Sequence, residues 1–151
     1  MEDMYWQSGP AWPERARKTI DYPKEPLFAM LDRSAEKNGN LPYTVFMGRS
    51  QTFAEVRKNA DRIANFLVSK GITQGDRVAI FIPNMPHFPP VFFGALKAGA
   101  KVVTCNPLYK ANELNYQLRD TGAKIVFVLD HPTFTPTCYE AIKGTDVHTV
   151  V

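Results

Sequence analysis

Arg77-Val-Ala-Ile-Phe-Ile82 is one charged residue followed by five apolar ones. A strand with one wet face alternates apolar and polar residues, so an unbroken apolar run requires burial on both faces. An interior strand of a parallel sheet, covered by helices above and below, meets that condition. Upstream, Gly75-Asp76 reads as a turn, and Thr52-Phe-Ala-Glu55 places a hydroxyl at a cap position with a carboxylate three residues on. The helix expected to follow has Val56, Ala60, Ile63, Ala64, Phe66 and Leu67 on its apolar face and Gly71 as its stop.

Downstream the alternation repeats. Pro86 to Ala98 reads as a helix ending at Gly99, Lys101 to Cys105 as a short strand, and Lys110 to Thr121 as a helix ending at Gly122. Lys124 to Leu129 is a second buried strand, Thr133 to Lys143 a helix, and Val147 to Val151 the beginning of another strand. Helix and strand alternating across short glycine-marked links predict an α/β fold. Its parallel sheet has right-handed crossovers and flanking helices, a three-layer arrangement. Because Thr149-Val150-Val151 lies inside an apolar strand, this α/β unit is expected to be incomplete.

Toward the N-terminus, Leu27, Met30, Leu31, Ser34 and Ala35 recur at helical spacing, closed by Asn38-Gly39. Tyr43 to Met47 and Ser50 to Phe53 read as a small β-hairpin turning at Gly48-Arg49. Residues 1–26 are rich in proline and aromatics and predict an extended arm packed on this domain, on a further domain or on a second subunit. Two units follow: the arm, 1–26, and the incomplete α/β unit, 27–151.

Composition narrows the function classes. Hydrophobic residues make up 44% and charged residues 22%, as in a soluble globular domain. The net charge of +3 is mild, and Lys and Arg are dispersed among acids, so no basic face for nucleic acid is expected. The most apolar stretch, 78–103, is broken by prolines, Asn84, His87 and Lys97, which excludes a membrane span of about 20 apolar residues. No N-terminal apolar leader is visible, and a cytoplasmic protein is the expectation. Cys105 and Cys138 lack metal-ligand spacing and read as free thiols. His87, His131 and His148 share no spacing that would assemble a metal site.

No complete catalytic constellation is present. The nearest approach to a phosphate loop, Gly94-Ala-Leu-Lys-Ala-Gly99-Ala100-Lys101, has its lysine one place late, no following Ser/Thr, and helix before strand rather than after. It reads as a helix C-terminus. There is neither G-x-G-x-x-G nor G-x-S-x-G. Residues just past strand ends are the remaining candidates, because parallel sheets bind ligands at the carboxyl ends of their strands. His87 in Asn84-Met-Pro-His87 and Tyr109 in Asn106-Pro-Leu-Tyr109 qualify by position; an ordinary surface role competes for each. Cys105 also follows a strand, but with no locatable base it reads as structural. Glu113 and Asp120 read as a solvated helix face.

An ordered set of runs goes further. Gln51-Thr-Phe-Ala-Glu55, Lys70-Gly-Ile-Thr-Gln-Gly-Asp-Arg-Val78, Ile82-Pro-Asn84, Phe93-Gly-Ala-Leu-Lys-Ala-Gly-Ala100, Asn106-Pro-Leu-Tyr109, Glu113-Leu114 and Asp120-Thr-Gly-Ala-Lys124 follow one another at consistent spacing. Together they resemble the N-terminal region of the adenylate-forming, AMP-binding acyl-CoA synthetases. Trp12-Pro13, Asp21-Tyr-Pro23 and the Asn106 run look most like the medium- and long-chain fatty-acid branch.

The resemblance implies a reaction in two steps. A carboxylate attacks the α-phosphate of ATP-Mg to give acyl-AMP and pyrophosphate, and the CoA thiol then displaces AMP. It implies ATP, Mg and CoA as cofactors and a fatty acid as substrate. The family's Ser/Thr/Gly-rich phosphate loop, aromatic-Gly-x-Thr-Glu motif, ribose Asp, Arg and late catalytic Lys are not in this sequence, so no catalytic, cofactor or metal residue is carried over. The expectation is an N-terminal fragment of a fatty-acid–CoA ligase, inactive alone and partnered by the remainder of its polypeptide. The competing expectation is an interaction or ligand-binding module that forms homo-oligomers through its arm or exposed apolar surface.

Overall fold

A computed structural model describes Pro13, Arg15, Arg17 and residues 19–151. Most of the predicted arm, including 1–12, lies outside the described residues. Residues 19–26 form neither helix nor strand, and Ile20 and Tyr22 are 62% and 76% exposed.

The element order is α1 (Phe28–Asn38), β1 (Pro42–Phe46), β2 (Arg49–Thr52), α2 (Phe53–Ser69), β3 (Arg77–Phe81), α3 (Phe88–Lys97), β4 (Lys101–Thr104), α4 (Ala111–Thr121), β5 (Ile125–Val128), α5 (Phe134–Ala141) and β6 (Thr149–Val150). Strands β1 and β2 form an antiparallel hairpin. The other four make a parallel sheet in the order β4-β3-β5-β6.

The hairpin turn falls one residue earlier than expected, at Met47-Gly48 (φ 49° and 78°). Pairing of Phe46 with Arg49 closes a two-residue loop, and such loops favour two left-handed residues because their twist matches that of the strands.

The capping box forms as read. Thr52 Oγ1 accepts the Glu55 N–H at 3.2 Å, and the Glu55 carboxylate accepts the Thr52 N–H at 2.8 Å. Helix α3 begins at Phe88, later than Pro86, with Pro89 and Pro90 in its first turn.

Two apolar layers enclose the sheet. Val78, Ile80, Ile82, Ile125 and Phe127 face one side, with Leu67 of α2 and Val91 and Ala95 of α3. Ala79, Phe81 and Val126 face the other, with Leu114 and Leu118 of α4 and Cys138 and Ala141 of α5. This alternation is why β3 reads as a continuous apolar run: odd and even residues are both buried, on opposite faces.

The order β4-β3-β5-β6 also explains the faces. The chain steps from β3 to β4 in one direction, then reverses past β3 to β5 and on to β6. Crossovers of one hand that run in opposite directions lie on opposite faces, so α3 covers one side and α4 and α5 the other.

Candidate functional site at the carboxyl edge of the sheet

The reversal of direction creates a particular place. Adjacent strands β3 and β5 send their connections opposite ways, and the loops leaving their carboxyl ends diverge. Open α/β sheets hold ligands in the crevice this leaves. Here it is a cavity of about 500 Å³, within the range of about 300–1,000 Å³ usual for small-molecule sites.

Its walls are Ile63 and Phe66 from α2, Ile82 and Met85 after β3, Val91 of α3, and Phe127 to Leu129 on and after β5. Arg62, His87 and Asp130 also line it, and all three are exposed. The interior is therefore apolar and the charge sits at the mouth.

The two sequence candidates separate. His87 stands at the crevice mouth, at the start of α3. Tyr109 lies elsewhere, beside Asn112, Glu113 and Tyr116 of α4, half-buried against the second apolar layer. Its loop is a compact turn: Asn106 Oδ1 accepts the Leu108 N–H at 3.0 Å, and the Asn106 carbonyl accepts the Tyr109 N–H at 3.0 Å. Sequence reasoning passed over Arg62, a polar position between apolar helix residues, and Asp130. The rule that selected His87, a polar residue just past a buried strand, would have found Asp130 after β5.

Cys105 is buried, and its thiol is pushed up to about 12 by desolvation, with Cys138 adding to the rise. A thiol of that kind is not a nucleophile at neutral pH. Cys138 is pushed up to about 11 by burial alone. Both belong to the second core layer as small hydrophobic residues.

The helix N-termini along this edge show whether phosphates of ATP or CoA would fit. A helix start binds phosphate through free backbone N–H groups. In α3, Pro89 and Pro90 have no N–H, and that of Phe88 donates to the Met85 carbonyl at 3.0 Å. At α4 the Glu113 carboxylate accepts the Lys110 N–H at 2.8 Å and puts negative charge where an anion would sit. At α5 the Thr133 N–H donates to His131 Nδ1 at 3.2 Å, the Thr135 N–H donates to the His131 carbonyl at 3.0 Å, and Pro136 has none. These helix starts do not fit a nucleotide phosphate. Among the described residues, no three His, Cys, Asp or Glu side chains gather as a metal-binding group, and no helix is long and apolar enough to cross a membrane.

Comparison with known proteins identifies the frame around this crevice. Residues 31–151 match the family model described as AMP-binding enzyme. The chain belongs to the AMP-binding enzyme family. It is 32% identical, over 100% of its length, to a long-chain-fatty-acid–CoA ligase of Haemophilus influenzae, and covers 26% of that protein. It is 35% identical, over 79% of its length, to a Bacillus subtilis ligase of the same name, covering 21%. In structure it resembles a long-chain-fatty-acid–CoA ligase from Archaeoglobus fulgidus, with TM-score 0.77, 26% identity, 87% of this chain and 28% of that one. The chain thus spans about a quarter of the length of these AMP-binding relatives. The fold expected from the sequence, a helix-flanked parallel sheet with a small hairpin, is the one observed.

Proposed function

We propose that this chain is the N-terminal part of an ATP-dependent fatty-acid–CoA ligase and does not catalyse by itself. The observation that carries the reading is the family match over residues 31–151, alongside helix starts taken up by prolines at α3, by the Glu113 carboxylate at α4 and by His131 at α5. In this reading the parent enzyme joins a fatty acid to ATP-Mg, forms acyl-AMP and pyrophosphate, and passes the acyl group to the CoA thiol. The phosphate loop and the catalytic lysine belong to polypeptide beyond this chain's equivalent region. The chain's own part is a rigid sheet whose carboxyl edge forms one wall of the enzyme. Two buried free thiols suit a reducing cytoplasm.

The test is adenylation. Purified 151-residue protein, given ATP, magnesium and a fatty acid, should produce no acyl-AMP. The same chain continued by the remainder of a ligase polypeptide should produce it. Acyl-AMP formed by the 151-residue protein alone would refute inactivity; none formed by the joined polypeptide would refute the ligase assignment.

A second reading, an association module, is favoured by the exposed hairpin tip, where Val45, Phe46 and Met47 are 72%, 41% and 89% exposed, and by the open Ile20 and Tyr22. Light scattering of the chain with and without residues 1–26 tests the arm's part in such association, since an unchanged mass removes the arm from that role.

A further inference from the structure

We infer that the groove between the β1–β2 hairpin and the start of α3 seats the chain's own N-terminal arm, with Trp6 as the anchoring side chain. The groove lies between Thr44, Val45 and Phe46 of β1 and Met85, Pro86 and Phe88, and encloses about 240 Å³. An apolar cavity of about 150 Å³ takes up benzene, so this one has room for an indole ring. Three observations select the arm.

The first is composition. Met4-Tyr-Trp-Gln-Ser-Gly-Pro-Ala-Trp-Pro13 carries both tryptophans of the sequence and two prolines. Segments stiffened by proline lose little conformational freedom on docking, and they favour grooves walled by aromatic rings, as Phe46 and Phe88 wall this one.

The second is where the arm leaves the domain. Residues 19–26 are exposed, and Glu25 pairs with Arg33 of α1. Phe28 at the start of α1 packs in one cluster with Tyr43 of β1 and Phe92 of α3. Phe92 in turn stacks on Phe88, with 6.1 Å between ring centroids. The arm therefore departs one row of rings away from the groove. At about 3.1 Å per residue in a polyproline conformation, the stretch from Trp6 to Pro26 far exceeds a radius of gyration of about 15 Å for a chain of this length.

The third is charge. Phe46 pairs with Arg49 and Thr44 with Gln51. Residues directly opposite in a hairpin share a face, so Arg49 stands on the side that Phe46 turns to the groove. Arg49 is exposed, and none of the described lining residues is acidic. Glu2 and Asp3 stand just ahead of the aromatic run and supply the matching charge.

Seating the arm bears on the candidate site. Met85 lines both this groove and the crevice between β3 and β5. An arm held in the groove braces the loop that carries Met85 and His87 and forms one wall of the crevice. None of this depends on the ligase reading.

The experiment uses the 151-residue chain, whose tryptophan fluorescence reports the arm alone. In Trp12→Phe, Trp6 should emit to the blue of a free peptide of residues 1–16 and resist acrylamide quenching several-fold better, at monomeric mass and independently of dilution. Val45→Asp, at a position 72% exposed, returns Trp6 to the peptide's values while circular dichroism confirms the fold. Leu108→Asp, 82% exposed after β4, leaves it protected.

A dye locates the contact. Cys105 and Cys138 are buried, so Met47→Cys takes a bimane label at the hairpin tip alone. Trp6 quenches that label and Trp6→Phe restores it, whereas a label on Leu108→Cys stays bright. Amide exchange at Met85 and His87 quickens in Val45→Asp; unchanged exchange there overturns the bracing of the loop. Trp6 as exposed as in the peptide overturns the inference. So do protection that survives Val45→Asp, equal quenching at positions 47 and 108, or protection lost on dilution, which would mark the arm of a second copy as the occupant.

Discussion

Gly94 lies where α3 crosses α2: a methyl group there would stand 2.7 Å from Ile63 Cβ and 2.8 Å from the Ala60 carbonyl oxygen. Alanine favours a helix interior over glycine by about 1 kcal/mol, but overpacking costs roughly 1–3 kcal/mol, and a helix backbone oxygen cannot rotate away. Gly94→Ala should therefore lower unfolding stability by up to about 2 kcal/mol in urea titrations, the opposite of its propensity effect. Asp76 makes a second residue-scale case. It is buried, its Oδ2 accepts the Thr73 N–H at 2.9 Å, and its Oδ1 pairs with Lys124 Nζ at 2.7 Å. The Lys124 hydrogen bond, followed by the Thr73 backbone bond, holds its carboxyl at about 2, below the ordinary 3.8. A carboxyl depressed in the folded state adds stability above its unfolded value, and that stability is lost as pH falls through its folded one. Between about pH 4 and pH 2 the wild-type chain should lose stability, and Asp76→Asn should flatten that part of the denaturation profile. An unchanged acid limb would remove Asp76 from this role.

Among the elements, Lys97 does more than its place in a helix C-terminal motif suggested. Its Nζ lies 2.6 Å from Asp32 of α1 and 2.6 Å from Asp61 of α2, so one ammonium on α3 ties three helices together. Burial pulls its pKa down, but the hydrogen bonds to the two aspartates outweigh that and leave it raised. Lys97→Met removes the charge that both carboxylates face. Since Asp32 and Asp61 remain partly open to water, the expected loss is about 1–3 kcal/mol, read as a lower thermal midpoint and earlier hydrogen exchange in α1. The capping box is a purely local device by comparison: Thr52→Ala should cost about 1 kcal/mol and leave the crevice intact. Gly122 joins two elements. Its φ of 61° ends α4, and Arg77 of β3 donates from Nε to the Thr121 carbonyl at 2.7 Å and from Nη2 to the Gly122 carbonyl at 2.9 Å. The arginine thus opens the central strand and also caps a helix that packs on it, placing positive charge at the negative end of the helix dipole.

At the scale of the molecule, the sheet's two unequal sides organise the functional proposal. On the α2–α3 side the cover stops short of the ends of β3 and β5, and the crevice opens there. On the α4–α5 side the apolar layer runs on to take in Tyr109 and Phe134. The 151-residue chain is expected to make no acyl-AMP, whereas the joined ligase polypeptide should make it. Adenylation assays on the two proteins check that division.

The sequence by itself determined the elements. The apolar run 78–82, the Thr52–Glu55 cap and the glycines at 71, 99 and 122 act over a few residues, where propensity and burial pattern are local quantities. It also determined the family, because ordered motifs over 31–151 survive as a pattern along the chain. Only the tertiary structure decided that β5 passes β4 and pairs with β3. Only it decided that Arg62 of α2 and Asp130 after β5 share one mouth with His87, and that Tyr109 is left to the core. Strand order is settled by pairing between residues far apart in sequence, and a period of two tells which faces are buried without telling what lies beside them. The candidate site is made of such neighbours, which is why position past a buried strand points to His87 and Asp130 separately and does not show that they share a mouth with Arg62.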